Sequence, residues 1–383
     1  MTNPTTEDLL DYSYLKRRIR KGNAVQLLRD GTEAFPAMLS AIAEARRFIS
    51  IEFYIWRADD VGWRFADALV ERHRAGVRVR AMYDALGCID VDPIVFETLR
   101  GEGIDCQEFR PYKPWRPRWG ILRRDHRKIL VVDNEVGFTG GINLAREYLG
   151  VDEGGHGWRD AMVRLEGPAV NDLNQLFMRT WRRERKGRRE PEEAPRPSVR
   201  GDQLVSVLGN TEIGRRQIIR KSYLQAIRRA RATIDIANAY FLPDRDIRRA
   251  MYAAVRRGVR VRIMVPLSGD VPMVSWATQF LFARLLRRGV QLFQWTGTMI
   301  HAKTAVIDAV WSTIGSYNLD HKSLRHNLEV NVNVLDATFG REMVQSFEAD
   351  LERCRAVVRD SWSGRGWFER LRSWFFFQFR WLF

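Results

Sequence analysis

The chain has 383 residues, enough for two domains or two fused repeats that each bury their own core. Its hydrophobic content of 45% and charged content of 29% are those of an ordinary folded protein and exclude an intrinsically disordered one. The net charge of +16 indicates a polyanionic partner, either nucleic acid or an anionic membrane surface, unless the charge serves solubility alone.

The cysteines and the apolar stretches limit the compartment and the membrane topology. Three cysteines without metal or redox spacing indicate a reducing compartment. The first ten residues are polar and acidic, unlike a secretory signal peptide. No stretch reaches the roughly 20 consecutive apolar residues that a spanning helix needs. The sequence therefore predicts a protein without membrane-spanning helices.

Helices alternate with strands in the same order in both halves of the chain. Each segment of helical periodicity leads into a short run of β-branched and aromatic residues that is typical of a strand. These helix-then-strand units fall at 36–48 and 49–55, 62–75 and 77–82, and 95–100 and 103–106, and again at 222–232 and 233–237, 244–257 and 259–263, and 276–286 and 289–293. The pattern predicts an α/β fold with largely parallel strand pairing.

Two segments lie outside the repeated units and are predicted to be a linker and a loop. The segment that starts at Lys186 is charged and proline-rich, which predicts an exposed linker between the halves. The predicted organisation is an N-terminal extension 1–22, a first lobe 23–185, the linker 186–203, a second lobe 204–358 and a tail 359–383. Prolines, aromatics and basic residues at 111–119 predict a loop, which either touches lipid head groups or has no role.

One chemical pattern is written twice. The motif His-x-Lys-x4-Asp occurs in each half, followed at equal spacing by a glycine turn and an asparagine. The residues concerned are His126, Lys128, Asp133 and Asn143 in the first copy and His301, Lys303, Asp308 and Asn318 in the second. A single His-x-Lys in a basic protein means little, but two copies with matched spacing predict a duplicated half-site.

Side-chain alternation separates the motif residues. His126 and Lys128 share a face of an extended chain, whereas Asp133 falls on the opposite face. The six motif residues are the candidate catalytic set, but Asp133 and Asp308 are therefore expected to be supporting groups. Other carboxylates must then orient the imidazoles. The candidates are Asp160 for His126 and Glu329 for His301.

These residue types suit a phosphodiester substrate. Lys128 and Lys303 would neutralise the phosphate oxygens, with Asn143, Ser316 and Asn318 as further donors. One neutral histidine can attack phosphorus to give a phosphohistidine, while the other, protonated, serves the leaving oxygen and later the incoming hydroxyl. No cluster has metal-ligand spacing, so neither a metal nor another cofactor is expected.

The paired motifs resemble the HKD motifs of the phospholipase D superfamily, over about Asn23 to Val357. Finer features resemble its bacterial cardiolipin synthase branch. They are Asp125-His126-Arg127-Lys128-Ile129-Leu130-Val131-Val132-Asp133, Gly140-Gly141-Ile142-Asn143, Trp158-Arg159-Asp160, Gly315-Ser316-Tyr317-Asn318-Leu319-Asp320 and Asn327-Leu328-Glu329. Lys322 stands where an arginine is common in the family. The planar guanidinium group with several donors is thus replaced by a compact ammonium group.

The resemblance implies a fold and an activity. It implies two homologous α/β/α lobes, with mixed and largely parallel sheets, that meet at a central cleft. It also implies transfer of a phosphatidyl group between phospholipids, typically two phosphatidylglycerols giving cardiolipin and glycerol, with His126 as the nucleophile. The absence of N-terminal spanning helices resembles the shorter, peripheral subgroup, on the cytoplasmic face of the bacterial inner membrane.

The C-terminal tail indicates a membrane partner independently of the family. Aromatic residues alternate with arginines in a segment too short to span, which describes an interfacial anchor on anionic lipid such as phosphatidylglycerol. The candidate membrane-binding residues are Trp367, Phe368, Trp374, Phe375, Phe376, Phe377, Phe379 and Trp381. A last helix packed on the core or at a dimer contact would show the same composition.

Three other functions are compatible with parts of the sequence. A superfamily nuclease would suit the charge and predicts salt-dependent nucleic-acid binding, but the aromatic tail and Glu329 motif favour lipid. A phospholipid hydrolase differs only in that water reaches the intermediate. A lipid-binding scaffold is disfavoured because both His/Lys pairs are intact. The sequence does not set the oligomeric state.

Overall fold

The computed structural model describes residues 5–111, 123–185, 197–210 and 217–382. The segment 112–119 and residues 186–196 of the predicted linker lie outside the described residues. The strands are β1 (Arg20–Arg29), β2 (Phe48–Phe53), β3 (Arg78–Asp84), β4 (Asp105–Phe109), β5 (Lys128–Val132), β6 (Val136–Gly140), β7 (Ala161–Glu166), β8 (Gln203–Asn210), β9 (Thr233–Asn238), β10 (Arg260–Pro266), β11 (Gln291–Trp295), β12 (Lys303–Ile307), β13 (Trp311–Gly315), β14 (Glu329–Leu335) and β15 (Cys354–Ala356).

Helices connect and cover these strands. They are α1 (Thr6–Leu10), α2 (Asp30–Ala43), α3 (Asp60–Arg74), α4 (Ile94–Gly101), α5 (Ala169–Glu184), α6 (Ile218–Arg229), α7 (Arg245–Arg256), α8 (Pro272–Arg287), α9 (His321–Arg325), α10 (Ala337–Leu351), α11 (Arg359–Ser363) and α12 (Trp367–Gln378). Short 3-10 turns lie at Lys16–Arg18, Arg146–Tyr148, Val151–Glu153 and Arg380–Leu382.

The strands form one continuous sheet in which the two halves repeat the same order. From the outer edge inward, the first half runs β4-β3-β2-β5-β6-β7-β1 and the second runs β11-β10-β9-β12-β13-β14-β8, with β15 added beyond β11. The halves join where β1 pairs antiparallel with β8. This architecture confirms the predicted α/β fold built from two homologous lobes.

Strand direction differs from the expectation in one respect. Parallel pairing is confined to β2-β3-β4 and β9-β10-β11, which are linked through covering helices. The other ladders between described strands are antiparallel, so "largely parallel" was wrong for the centre of each lobe. The reason is local, since β5–β6 and β12–β13 are tight hairpins, and hairpins join only antiparallel neighbours. Asp133 and Asp308 supply the left-handed turn positions, with φ of 53° in both.

A shared apolar core fixes the lobes against each other. Ile129 and Val163 of the first lobe belong to the same buried cluster as Val306 and Val330 of the second. These β-branched side chains point inward from β5, β7, β12 and β14. Because the motif lysines begin β5 and β12, this packing determines where the two motifs meet.

The N-terminal extension packs on the second lobe. Tyr12 is buried in the core of that lobe, and its hydroxyl donates a hydrogen bond of 2.7 Å to Oδ2 of Asp308. The extension therefore covers the strand end opposite the cleft.

Candidate active site

Two short backbone bridges cross between the lobes at the motif histidines. Asp125 forms an isolated bridge with Leu328, and Arg159 forms one with Ile300. The His126 amide donates to the carbonyl of Leu328 at 3.0 Å, and the His301 amide donates to the carbonyl of Arg159 at 2.7 Å. Each histidine is thus attached to the loop that precedes the opposite lobe's β7 or β14 strand.

His126 is held through Nδ1 by groups of the second lobe. Its side chain is buried, and Nδ1 lies 3.1 Å from Oε2 of Glu329 and 3.1 Å from the carbonyl oxygen of Ser316. Since a carbonyl oxygen only accepts, Nδ1 carries the proton. The neutral ring therefore presents a lone pair at Nε2, the atom required for nucleophilic attack.

His301 is held in the same way by the first lobe. Its Nδ1 lies 2.7 Å from Oδ2 of Asp160, and the other carboxylate oxygen accepts the Ala161 amide at 2.7 Å. The Tyr148 hydroxyl also approaches Nδ1, at 3.2 Å. Within the described ranges, no hydrogen bond engages Nε2 of either histidine, so both reactive nitrogens remain available to a substrate.

The orienting carboxylates are crossed relative to the sequence prediction. Asp160 was expected to serve His126, and Glu329 to serve His301, but each serves the other histidine. The physical reason is the pair of backbone bridges, which place Arg159-Asp160 beside His301 and Leu328-Glu329 beside His126. Distance along the chain carries no information about such inter-lobe contacts.

Glu329 is stabilised by a network that Asp160 lacks. The Ser316 hydroxyl donates to Oε2, while Ser323 donates to Oε1 at 2.8 Å and Asn327 donates to Oε1 at 3.3 Å. Ser316 was predicted to bind phosphate, but its single proton is used by this carboxylate. In the first lobe the equivalent position is Gly141, where an added Cβ would lie 2.2 Å from Oδ1 of Asp160.

The two lysines are fully buried beside the imidazoles. Lys128 donates to the His126 carbonyl at 2.6 Å, and Lys303 donates to the His301 carbonyl. Burial lowers the pKa of Lys128 to about 7, against the opposing Glu329 charge, and burial also lowers the pKa of Lys303. A phosphate anion between them would favour their charged forms.

The two histidines differ in their electrostatic surroundings. Burial, followed by the Lys128 and Lys303 charges, holds the pKa of His126 well below its usual value. Burial also lowers the pKa of His301, but there the hydrogen bond and charge of Asp160 act in the opposite direction. The site therefore keeps His126 neutral more strongly than it does His301.

The two predicted asparagine donors differ in their contacts, because the Asn143 side chain is hydrogen-bonded while Oδ1 of Asn318 is buried without a partner among the described residues. Asn143 accepts the Ile55 amide at 3.2 Å and donates to the Tyr148 hydroxyl at 2.8 Å, so it supports the tyrosine that contacts His301. The backbone amide of Asn318 donates to Ser323 Oγ at 3.3 Å. Tyr148 was missed in the sequence, although it follows His126 at the same spacing as Ser323 follows His301.

Asp133 and Asp308 do not reach the cleft, contrary to their place in the catalytic set. Asp133 accepts the amides of Arg46, Arg47 and Phe48 at 2.8 to 2.9 Å, and Asp308 accepts three equivalent amides before β9. Side-chain alternation anticipated this placement, because both aspartates point away from the histidines. Their role is to fasten the start of a central strand.

Two further features are absent from the described ranges. Within them, no group of three or more histidine, cysteine, aspartate or glutamate side chains is arranged to hold a metal ion. No helix in the same ranges is both long and apolar enough to cross a bilayer.

The tail forms a helix whose aromatic residues divide between two faces. Phe376 packs on Trp276 with ring centroids 4.9 Å apart, and Phe377 packs on Phe280 at 4.5 Å. These two were predicted to bind membrane, but helical periodicity turns them towards α8. The remaining candidates are exposed, and they are Trp367, Phe368, Trp374, Phe375, Phe379 and Trp381.

Comparison with known proteins gives the family. Residues 38–181 and 223–352 match the family described as "Cardiolipin synthase, PLD-like domain". Cardiolipin synthase B of Escherichia coli is 34% identical over 376 residues, covering 94% of this chain and 88% of that protein. The major cardiolipin synthase ClsA of Bacillus subtilis is 31% identical over 358 residues, covering 92% and 73%.

Solved structures support the fold. Phosphatidylserine synthase of Haemophilus influenzae has a TM-score of 0.63 at 12% identity, over 90% of this chain and 88% of that one. Polyphosphate kinase of Porphyromonas gingivalis has a TM-score of 0.56 at 16% identity, over 88% and 49%. With both HKD motifs at the lobe junction, the chain belongs to the cardiolipin synthase family of phospholipase D-like enzymes.

Proposed function

We propose that the protein transfers a phosphatidyl group from one phosphatidylglycerol to a second phospholipid, forming cardiolipin and glycerol through a phosphohistidine. The observation that carries this proposal is the pair of buried imidazoles, each held at Nδ1 by a carboxylate of the opposite lobe. The names of the relatives, which are cardiolipin synthases, support the lipid substrate over a nucleic acid.

The first step forms the covalent intermediate. Nε2 of His126 attacks phosphorus, and the bond between phosphorus and the glycerol head-group oxygen breaks. His301, protonated, gives its Nε2 proton to that oxygen, so glycerol leaves neutral. The lower tendency of His126 to be charged supports this division of roles.

In the second step His301 acts as a base and His126 is the leaving group. The hydroxyl of a second phosphatidylglycerol gives its proton to Nε2 of His301 and attacks the phosphohistidine. The phosphorus–nitrogen bond breaks, which releases cardiolipin and restores His126. If water attacks instead, phosphatidic acid forms, so hydrolysis is the competing outcome.

Lys128 and Lys303 stabilise charge in both steps. Both side chains are fully buried, so bulk solvent does not screen their ammonium groups. A phosphorane-like transition state spreads negative charge over the non-bridging oxygens, which fixed cations stabilise without reorganisation. Asn143, proposed from sequence as a phosphate donor, would act mainly by holding Tyr148, whereas Asn318 keeps its proposed role as a phosphate donor.

We further propose a peripheral location on an anionic membrane, at the cytoplasmic face of the bacterial inner membrane. The exposed aromatic face of α12 and the net charge of +16 support binding to anionic lipid.

Incubation with radiolabelled phosphatidylglycerol tests the function. We expect labelled cardiolipin and glycerol, together with an acid-labile label on His126 after rapid quenching. Phosphatidic acid as the sole product would make the protein a hydrolase. Absence of both products, with cleavage of single-stranded DNA instead, would overturn the proposal in favour of a nuclease.

A further inference from the structure

A cavity remote from the histidines is lined by arginines. It lies between α8 and α12, beside α7, and has a volume of about 550 Å³, a size that accommodates a small ligand. Three of its arginines are half-buried and three are exposed at its surface. The half-buried ones are Arg248, Arg365 and Arg380, and the exposed ones are Arg284, Arg287 and Arg370.

Among the described residues, carboxylates act on these arginines only without a close ion pair, as Glu369 does on Arg365 and Asp244 does on Arg248. The lining contains no acidic residue, and among the described residues none of the six guanidinium groups has an ion pair within 4.0 Å. Asp244, whose charge acts on Arg248, is already paired with Arg220 at 2.6 Å. Burial, together with the charges of Arg284 and Arg380, lowers the pKa of Arg248. Clustered unpaired cations of this kind are stabilised by an anion.

The half-buried arginines are already positioned for an anion. Arg248 donates to the Pro243 carbonyl at 2.8 Å, Arg365 to the Trp362 carbonyl at 3.3 Å, and Arg380 to the Phe377 carbonyl at 2.9 Å. Each contact uses one of the five N–H donors of a guanidinium group. The remaining donors can bind phosphate oxygens, and the ordering cost of the side chains is already reduced.

Apolar surface adjoins the arginines. The exposed side chains of Trp374 and Phe280 contribute to the cavity wall, and Phe375 and Leu371 continue the apolar face of α12. A free inorganic anion gains nothing from such a border. A phosphate that carries hydrocarbon chains can place its head group among the arginines and its chains along the aromatic face.

We propose that this cavity binds the phosphate head group of an anionic phospholipid, as a second lipid site separate from the His/Lys cleft. The inference rests on the proposed function only in placing the enzyme on a phospholipid surface. Such a site would hold the enzyme where its substrate is abundant and would fix α12 against α8.

Calorimetric titration with a short-chain phosphatidylglycerol below its micelle concentration tests the site. The full chain carries His126→Asn to prevent turnover. We expect two lipids bound per chain, falling to one when Arg284→Gln and Arg370→Gln are combined. The matched control, Arg249→Gln with Arg256→Gln, removes the same charge from exposed positions of α7 outside the cavity and should still bind two. Near-ultraviolet circular dichroism checks folding of each variant.

Each outcome decides a separate point. Two lipids bound by the cavity variant would overturn the second site. A fall from one lipid to none would support the cavity but count against lipid binding at the cleft, and hence against the proposed function. Displacement of the cavity lipid by an equal concentration of inorganic phosphate would overturn the lipid assignment. With His126 intact, the cavity variant should keep its turnover of the short-chain lipid within about twofold, because its arginines do not touch the cleft.

Discussion

The two half-sites carry the same histidine and lysine at the same spacing, yet their surroundings differ. The carboxylate that serves His126 receives three side-chain hydrogen bonds from its own lobe, from Ser316, Ser323 and Asn327. The carboxylate that serves His301 lies against Gly141 and the hydroxyl of Tyr148 approaches the ring instead. Duplication therefore supplies two imidazoles, and their unlike neighbours fit the different tasks that we propose for them.

The difference also supports the proposal that the two histidines are not interchangeable. Burial and the Lys128 and Lys303 charges hold the pKa of His126 well below its usual value, whereas the hydrogen bond and charge of Asp160 act to raise the pKa of His301. A neutral attacking ring and a proton-carrying ring are the two forms that transfer requires.

The largest effect is expected for the attacking ring. His126→Asn should lower kcat/KM by at least about 10⁴-fold for every substrate, because no leaving group replaces a missing nucleophile. Initial rates with phosphatidylglycerol and with a p-nitrophenyl phosphodiester measure this. His156→Asn, at an exposed histidine, is the control and should be unaffected. If His126→Asn and His301→Asn lowered kcat/KM equally with both substrates, the two histidines would not have different roles.

The second ring should show rescue by the leaving group. His301→Asn should lower turnover of phosphatidylglycerol by about 10²- to 10⁴-fold, the usual contribution of general acid catalysis. With the p-nitrophenyl substrate the loss of the first step should nearly disappear, since nitrophenolate leaves without a proton. The burst of nitrophenol measures that step. If His301→Asn slows the first step with the p-nitrophenyl substrate as much as it slows turnover of phosphatidylglycerol, attack would be assigned to His301.

Substitution of the carboxylates that hold the two rings should have comparable effects on activity. Asp160→Asn should cost about 10²-fold or more through loss of ring orientation, and it should reproduce the leaving-group rescue of His301→Asn. Glu329→Gln should show no such rescue, because it acts on His126. Double-mutant cycles measure the coupling directly. Coupling of Asp160 to His126 in place of His301 would contradict the structure.

The pH dependence should reveal the lowered pKa of the nucleophile. A base whose pKa is lowered stays neutral to lower pH, so its acid limb moves downward. In the His301→Asn variant with the p-nitrophenyl substrate, the acid-side fall of kcat/KM should lie below pH 6.5, since kcat/KM reports the free enzyme. A half-maximal rate at or above pH 6.5 would mean an unperturbed imidazole.

The smallest effect on activity is expected at the motif aspartates. Asp133→Asn should lower the free energy of unfolding by about 2 kcal/mol, through weaker bonds to three backbone amides, with kcat of the folded enzyme within about threefold. The urea midpoint and the steady-state rate measure the two quantities. Asp308→Asn, also bonded to Tyr12, is the matched comparison. A large loss of kcat without loss of stability would mean that Asp133 takes part in catalysis.

Much of this could be predicted from residue patterns. The duplicated α/β lobes, the positions of His126 and His301 and the outward direction of Asp133 follow from periodicity and spacing. The crossed pairing of Asp160 and Glu329 could not, because it arises from two backbone bridges between distant segments. The inward face of Phe376 and Phe377 likewise depends on a partner helix, which a tail sequence does not specify.

The exchange of carboxylates between the lobes has a consequence for how the protein can change. Separated from its partner, either lobe would keep a histidine and a lysine but lose the group that fixes its imidazole tautomer. Neither fragment would retain partial turnover, and activity would return only on recombination of both. The two copies can therefore differ in sequence, as they do at Gly141 and Ser316, while each still supplies the carboxylate that holds the imidazole of the other.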